Sequence, residues 1–343
     1  MIAGKDITIY DLASKLNISP TTVSRGLQDH PAINKATKKK IFELAEEMGY
    51  RSNHFAKNLR QQKTHTIGVI VPRLISAFTS TVISGMENVA TKAGYNLLIS
   101  QSLEQYQKEV ANAKTMFNNR VDGLLVSLAY DTEDISHFEP FVNKNIPLIF
   151  FDRVAEHSSC TNIIIDNQKA AFNATTHLIE QGCKNIIHIT APSKQNVYVD
   201  RLRGYRNALV ENDIEFREDN IFRGDLSQEA GAAAAELISK LSPLPDAVFA
   251  ASDSAAVGCM LALKKTGVRI PEDIAFAGFN NDAISQVIEP NLTTTNYHGF
   301  EMGEAAAQHL INHLKGVSTI YTTNTIVLRS ELIVRASSLR RGK

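Results

Sequence analysis

Residues 8–27, TIYDLASKLNISPTTVSRGL, hold two short helices and the turn between them. Ile9, Leu12, Ala13 and Leu16 fall at i, i+3, i+4 and i+7, which gathers them on one apolar helix face. Thr8 stands at the N-cap, and Asp11 three residues later completes a capping-box pair near the positive helix end. The pattern breaks at Asn17. Ser19 then supplies a second N-cap, with Pro20 at the first helical position, where a missing N–H costs nothing. From Pro20 to Leu27, Val23 and Leu27 can pack on the first helix. At about 100° per residue, Thr21 and Arg25 lie roughly opposite Val23 and face outward. A short helix, a tight turn and a second helix with a polar outer face make the helix-turn-helix plan, whose second helix enters the DNA major groove.

Downstream, a third helix is expected from a cap at Asn34 to a stop at Gly49, with Ile41, Leu44, Ala45 and Met48 at helical spacing. Lys38, Lys39 and Lys40 crowd its first turns. Alone, such a run reads as a solvated face; beside a helix-turn-helix it reads as phosphate contacts, which add sequence-independent affinity by releasing counterions. Arg25 can donate two hydrogen bonds to guanine O6 and N7, and Thr21 can reach a base edge or a thymine methyl. The alternative for Arg25 is a phosphate contact. Charge agrees with this placement. The 343 residues balance 36 Lys+Arg against 36 Asp+Glu, yet residues 1–63 carry +5 and the remaining 280 carry −5. A neutral total conceals a basic head and an acidic body.

TIYDLASKLNISPTTVSRGL, followed by NKATKKKIFELAEEMGY, closely resembles the DNA-binding head of the LacI/GalR family of bacterial regulators. RSNHFAKNLRQQKTHTIGVIVP resembles that family's hinge and the first strand of its sensor, although Ser52 stands where the family usually has Pro. The resemblance implies a helix-turn-helix domain at 1–50, a hinge at 51–63 and an effector-binding domain at 64–343. It assigns DNA contacts to Thr8, Tyr10, Ser19, Pro20, Thr21, Thr22, Ser24, Arg25, Asn34, Thr37 and Tyr50 in the head. In the hinge it assigns them to Asn53, Ala56, Lys57, Leu59 and Arg60. The family hinge becomes helical on operator DNA and inserts a leucine into the minor groove; Leu59 stands at that position, or is simply an apolar linker residue. A helix from about Asn53 to Leu59 is too short to persist alone, isolated helices under roughly 12 residues being marginal. Losing Pro at Ser52 leaves the free linker more flexible.

From Thr66 onward, short apolar runs alternate with helical patterns. The runs are TIGVIVP (66–72), NLLIS (96–100), GLLVSL (123–128), PLIFFD (147–152), NIIID (162–166), NIIHIT (185–190), AVFAAS (247–252) and IAFAGF (274–279). Continuous apolar strands separated by helices predict parallel sheets covered on both faces. The resemblance resolves them into two similar α/β subdomains joined by three crossovers, like a periplasmic sugar-binding protein. It places residues 64–163 and 294–323 in one subdomain and 164–293 and 324–343 in the other.

Ligands of such sheets sit at the carboxyl ends of the strands, here in the cleft between subdomains. The resemblance assigns effector contacts to Phe78, Asp152, Arg153, Gln195, Arg201, Leu226, Ser252, Asn280 and Tyr297. Several have plainer readings. Phe78 can belong to the core, Asp152 and Arg153 can pair with each other or with neighbours, and Asp253 suits the N-cap of helix 254–266. Arg201, in RLRGY, offers a fork of donors for hydroxyls or carboxylates. Asn280 occupies a position where most family members have an Asp. A neutral amide there tolerates an acceptor, which extends the expected effector from a sugar to a sugar acid.

Other classes drop out. MIAGKDITIY has no basic segment followed by an apolar stretch, so no secretory signal is expected, and no apolar run reaches the roughly 18–20 residues of a membrane span. Cys160, Cys183 and Cys259 are odd in number and widely spaced, against a disulfide framework or zinc site. No metal, cofactor or catalytic motif is expected. An α/β enzyme or a DNA-independent sugar-binding protein remains the alternative for the body alone. The expectation is a cytoplasmic repressor that binds operator DNA as a homodimer under control of a sugar or sugar acid. The tail after Arg335, ASSLRRGK, lacks the apolar heptads of a tetramerising coiled coil.

Overall fold

Residues 7–50, 63–157, 159–322 and 324–340 are described by a computed structural model, which divides into two units, 1–64 and 65–343. In the first unit, helix α1 (Ile9–Leu16), α2 (Pro20–Leu27) and α3 (Lys35–Glu47) bury Leu12, Ala13, Val23, Ile41 and Ala45 between them. Each start is chemically marked. The Thr8 N–H donates to Asp11 Oδ2 at 2.7 Å, Ser19 Oγ accepts from Thr22 N at 3.1 Å, and Asn34 Oδ1 accepts from Thr37 N at 2.8 Å. Asn17 ends α1 in the left-handed region (φ 53°), a conformation Asn tolerates better than most residues. The hinge residues Ser52, Asn53, Ala56, Lys57, Leu59 and Arg60 lie outside the described residues.

The second unit holds two six-stranded sheets. The first contains β1 (Thr66–Val71), β2 (Asn96–Gln101), β3 (Gly123–Val126), β4 (Leu148–Phe151), β5 (Thr161–Ile165) and β11 (Thr325–Leu328), in the order β11-β5-β4-β3-β1-β2. The second contains β6 (Ile186–Thr190), β7 (Ile221–Arg223), β8 (Ala247–Ala250), β9 (Ala275–Asn280), β10 (Thr293–Asn296) and β12 (Glu331–Ile333), in the order β12-β10-β9-β8-β6-β7. The pairings are parallel except that of β10 with β12. The helices that flank the sheets are α4 (Ala77–Lys92), α5 (Tyr106–Asn118), α6 (Glu139–Asn143), α7 (Asn167–Glu180), α8 (Asn196–Glu211), α9 (Gln228–Ile238), α10 (Asp253–Lys265), α11 (Ile284–Val287) and α12 (Gly299–Leu314). Among the described residues no helix is long and apolar enough to cross a membrane.

All eight apolar runs are strands, and the chain passes between the sheets three times: after β5, between β10 and α12, and between β11 and β12. The expected subdomain boundaries need correction. β5 runs intact to Ile165 in the first sheet, β10 lies in the second sheet, and β11 joins the first beside β5. A division at 163/164, 293/294 and 323/324 would cut β5, sever Thr293 from the rest of β10 and put β11 on the wrong side. The threonines of β10 mask a buried strand, because partners satisfy two of their hydroxyls: Thr293 Oγ1 donates to Arg335 O at 2.9 Å and Thr294 Oγ1 to Asp253 Oδ1 at 2.6 Å.

Helices α4 and α12 pack on one face of the first sheet at backbone contact. A Cβ on Gly303 would stand 1.9 Å from Val82 O, and one on Gly85 would stand 2.0 Å from Phe300 O. Only glycine permits that approach. It sets the position of α4, whose N-terminus, capped by Ser76 Oγ on Thr79 N, forms one lip of the cleft.

Candidate nucleic-acid interface and ligand cleft

On α2 the side chains divide as the helical period requires. Val23 and Gly26 are buried, whereas Thr21 and Arg25 are exposed. Tyr10 on α1 is 68% exposed, unusual for an aromatic side chain in so small a unit. Thr8, Ser19 and Asn34 are exposed, and Pro20, Thr22, Ser24, Thr37 and Tyr50 are partly so. Ser19, Asn34 and Thr8 also cap or brace helix starts, so they fix the helices as well as lining the surface. The lysine run is not uniform. Lys38 Nζ is turned onto the α2–α3 loop, 2.6 Å from Asp29 Oδ1 and 3.0 Å from Asp29 O, and so is not a free phosphate contact. Lys39 and Lys40 remain exposed.

In the second unit, the carboxyl ends of the strands open on a cleft of ≈ 670 Å³. Phe78, Asp152, Arg153, Arg201, Leu226, Ser252, Asn280 and Tyr297 all line it. Phe78 stacks on Tyr297 with ring centroids 4.5 Å apart at 11°, and Phe279 meets the same ring edge-on at 5.8 Å. Tyr297 OH donates to Asp152 Oδ1 at 2.5 Å, and burial pushes the phenol pKa well up. Asp152 sits in the left-handed region (φ 60°), which turns its side chain back toward this pair at the end of β4.

Arg153 does not pair with Asp152. Its Nη1 donates to Glu104 Oε2 at 2.7 Å, its Nη2 donates to Tyr198 OH at 2.8 Å, and its guanidinium lies 4.3 Å from the Tyr130 ring centroid. Arg201, 4% exposed on α8, donates from Nε to Asn167 Oδ1 at 2.9 Å and from Nη1 to Ala251 O at 2.8 Å. Its guanidinium lies 3.7 Å from the Phe279 ring centroid. Among the described residues, Nη2 is left without a protein acceptor.

Two expectations are corrected. Gln195 does not line the cleft: it is buried, and its Nε2 donates to Ala129 O and Thr132 O, both at 2.9 Å, tying α8 of one subdomain to a loop of the other. Glu109, buried beneath that loop, accepts from Ala129 N at 2.7 Å and from the Thr132 hydroxyl at 3.0 Å. Asp253 does not cap α10 either. Ser252 does, accepting from Ser254 N at 3.2 Å, and Asp253 is the first helical residue, fully buried, with its carboxyl pushed up to about 8 by burial.

Sequence reasoning passed over several lining residues: Glu104, Tyr130, Tyr198, Asp225, Glu229 and Asp282. Asp282 lies two residues beyond the strand-end Asn280. Burial pushes its carboxyl up to about 6, and a hydrogen bond from the Asn280 side chain holds it partly back. Glu104, Tyr130 and Asp225 likewise follow strands β2, β3 and β7 within a few residues, and β7 has no apolar run to announce it, whereas Tyr198 and Glu229 sit on α8 and α9, where a strand-end rule does not reach.

Residues 8–53 match the bacterial regulatory proteins, lacI family, and residues 175–338 match the periplasmic binding protein-like domain. Over 332 residues the chain is 32% identical to the HTH-type transcriptional repressor CytR of Escherichia coli (strain K12), spanning 96% of each. Among solved structures it is similar to a transcriptional regulator CelR–cellobiose complex, with a TM-score of 0.73 and 25% identity over 96% of this chain and 99% of that one. A lac repressor dimer bound to operator and the anti-inducer ONPF shares the fold, with a TM-score of 0.86 at 23% identity over 98% of this chain and 100% of that one. With an exposed recognition helix at its head and a two-sheet cleft in its body, the chain belongs to the LacI family of DNA-binding transcriptional repressors and is not an enzyme.

Proposed function

We propose that this repressor binds a near-palindromic operator as a homodimer and that a small polyhydroxylated effector in the body's cleft controls its DNA affinity. The observation that carries the reading is Arg201: a buried guanidinium with one uncommitted amino group on the wall of a cleft, beside the stacked pair Phe78–Tyr297. Arginine donors suit hydroxyl or carboxylate oxygens, and aromatic faces suit the apolar side of a sugar ring. A sugar or sugar acid fits these two features. The solved relative named for a cellobiose complex is in keeping with this class of ligand.

In the head, Thr21 and Arg25 read bases, while Tyr10, Ser24, Thr37, Tyr50, Lys39 and Lys40 contact the backbone together with the exposed caps Thr8, Ser19 and Asn34. Pro20 and Thr22 present the start of α2 to the groove. The hinge residues Asn53, Ala56, Lys57, Leu59 and Arg60 add minor-groove contacts. Two heads on adjacent half-sites require a two-fold dimer; the lac repressor structure is named as a dimer bound to operator, which supports this reading, and a repressor acting on operator DNA would work in the cytoplasm. Control follows from linkage: a ligand preferring one arrangement of the two subdomains shifts DNA affinity by its differential binding, typically about 1–3 kcal/mol.

The test is a thermal-shift screen of the full chain against sugars, uronates and nucleosides, followed by operator titrations with and without each hit. A cleft ligand raises the melting temperature by mass action. A hit whose shift survives Arg201→Ala, or one that leaves operator affinity unchanged, refutes the proposal.

A further inference from the structure

The cleft wall is unevenly charged. Five carboxylates (Glu104, Asp152, Asp225, Glu229, Asp282) and three arginines (Arg73, Arg153, Arg201) line it. Two of the five are already employed: Glu104 is paired with Arg153, and Asp152 accepts from Tyr297. Asp225 has Ser227 on one oxygen, its hydroxyl at 2.6 Å and its N–H at 3.0 Å, and feels Arg73 across the cleft. Asp282 differs from all of these. It is half-buried at the end of β9, and among the described residues no cation lies within ion-pair distance of its carboxylate.

Its neighbours bring no countercharge into contact. Behind it, Asp282 N donates to Asp253 Oδ2 at 2.8 Å, an acceptor whose own carboxyl burial pushes up to about 8. The nearby cation Arg335 is spent on neutral acceptors: its Nη2 donates to Asn281 Oδ1 at 2.7 Å, and its Nη1 donates to Ser285 Oγ at 3.0 Å and Leu292 O at 2.8 Å. The Asn280 amide is the remaining donor, and the elevated pKa of Asp282 reports that one amide does not compensate for the desolvation. A hydroxyl from a ligand supplies a hydrogen bond but no countercharge. A protonated amine supplies both, and desolvated charge-assisted bonds are the stronger kind.

Resting on the effector reading above, we propose that Asp282 is the specificity-determining residue of the cleft and that it seats a protonated amine of the ligand. The effector class is then a hydroxyl-rich molecule carrying an ammonium group, an amino sugar in its simplest form, with Arg201 Nη2 donating to its hydroxyl oxygens. A uronate is disfavoured, since its carboxylate would meet Asp225, Glu229 and Asp282 on one wall. This narrows the expectation raised by Asn280, for the negative charge absent there returns two residues later.

The test uses the full chain and hexose, pentose and ribonucleoside skeletons, each as a neutral, an amine-bearing and a carboxylate-bearing compound, in thermal shift and then calorimetry. On whichever skeleton binds, the amine form is expected at least tenfold tighter than the neutral form. Asp282→Asn should erase that preference, bringing the amine and neutral forms to within about threefold of each other. The same variant, unliganded, should melt higher than wild type, with a larger gain at pH 7.5 than at pH 5, because the relieved charge is ionised only at the higher pH. Tighter binding of a carboxylate form, an amine preference that survives Asp282→Asn, or a lower melting temperature for the unliganded variant each overturns the inference while leaving the effector reading intact. Failure of every skeleton to bind overturns the effector reading itself, and this inference with it.

Discussion

Gln195→Leu separates two roles for one residue. The side chain is 5% exposed and its single amide nitrogen serves two carbonyls, those of Ala129 and Thr132, at 2.9 Å each. Leucine fills a similar volume but donates nothing. The Ala129 carbonyl keeps the Thr132 N–H at 3.4 Å, but among the described residues the buried Thr132 carbonyl loses its donor, at about 1–3 kcal/mol less whatever leucine's apolar burial returns. Gln195→Glu is worse at neutral pH, since it aims a buried negative charge at two oxygens, and it should recover partly on acidification as the carboxyl protonates. The seam also includes Ser193 Oγ donating to Tyr130 O at 3.1 Å and Lys194 Nζ to Glu133 Oε1 at 2.7 Å, so the subdomains stay joined but turn more freely. Urea titrations of the full chain, followed by circular dichroism, should place the body's stability in the order Gln, Leu, Glu at pH 7. Effector titrations should show weaker coupling to operator binding. If Gln195→Leu keeps wild-type stability within about 0.5 kcal/mol while abolishing ligand binding, the residue is a ligand contact and the strut assignment is wrong.

Three further outcomes are expected. Gly303→Ala forces a methyl against the Val82 carbonyl, a backbone atom that cannot swing aside, and should cost about 1–3 kcal/mol or more; Gly85→Ala added to it should cost less than it does alone, because α4 and α12 are already parted, and a double-mutant urea cycle that comes out additive refutes the shared contact. Arg25→Lys keeps the charge but loses the fork, so it should weaken a guanine-containing operator by about 1–3 kcal/mol with an unchanged salt slope, whereas Lys40→Ala should lower the slope by about one and leave sequence preference alone; anisotropy titrations at several salt concentrations distinguish them. His188, stacked between Tyr205 and Phe249, is held to about 4 by burial, below its ordinary 6.5, so the native state resists its protonation. Its contribution is fully present above pH 6.5 and is lost as the pH falls from there toward 4, by about 3 kcal/mol at most, and a His188→Phe variant whose acid denaturation is as steep as wild type sinks the attribution.

The amino-acid order alone determined the parts of this protein whose physics is local. Helix starts at Thr8, Ser19 and Asn34, the outward face of Thr21 and Arg25, and eight strands, all largely buried except the edge strand β2, were legible because capping and periodicity are properties of neighbouring residues. The sign of the head was legible once the charge was divided at residue 63. What the tertiary structure decided is where distant segments meet. β10, β11 and β12 are too short or too rich in threonine to announce themselves, and their sheet membership follows from partners far away in sequence: Asp253 and Arg335 for the β10 hydroxyls, β5 for β11 and β10 for β12. Gln195 and Arg201 both sit on the approach to one helix or within it, six residues apart, yet one braces two subdomains and the other lines the cleft. Whether Asp282 meets a cation or goes without one was likewise settled by the path of Arg335 from the far end of the chain. A polar side chain's role depends on which acceptors and charges arrive beside it, and those are brought by the fold, not by sequence neighbours.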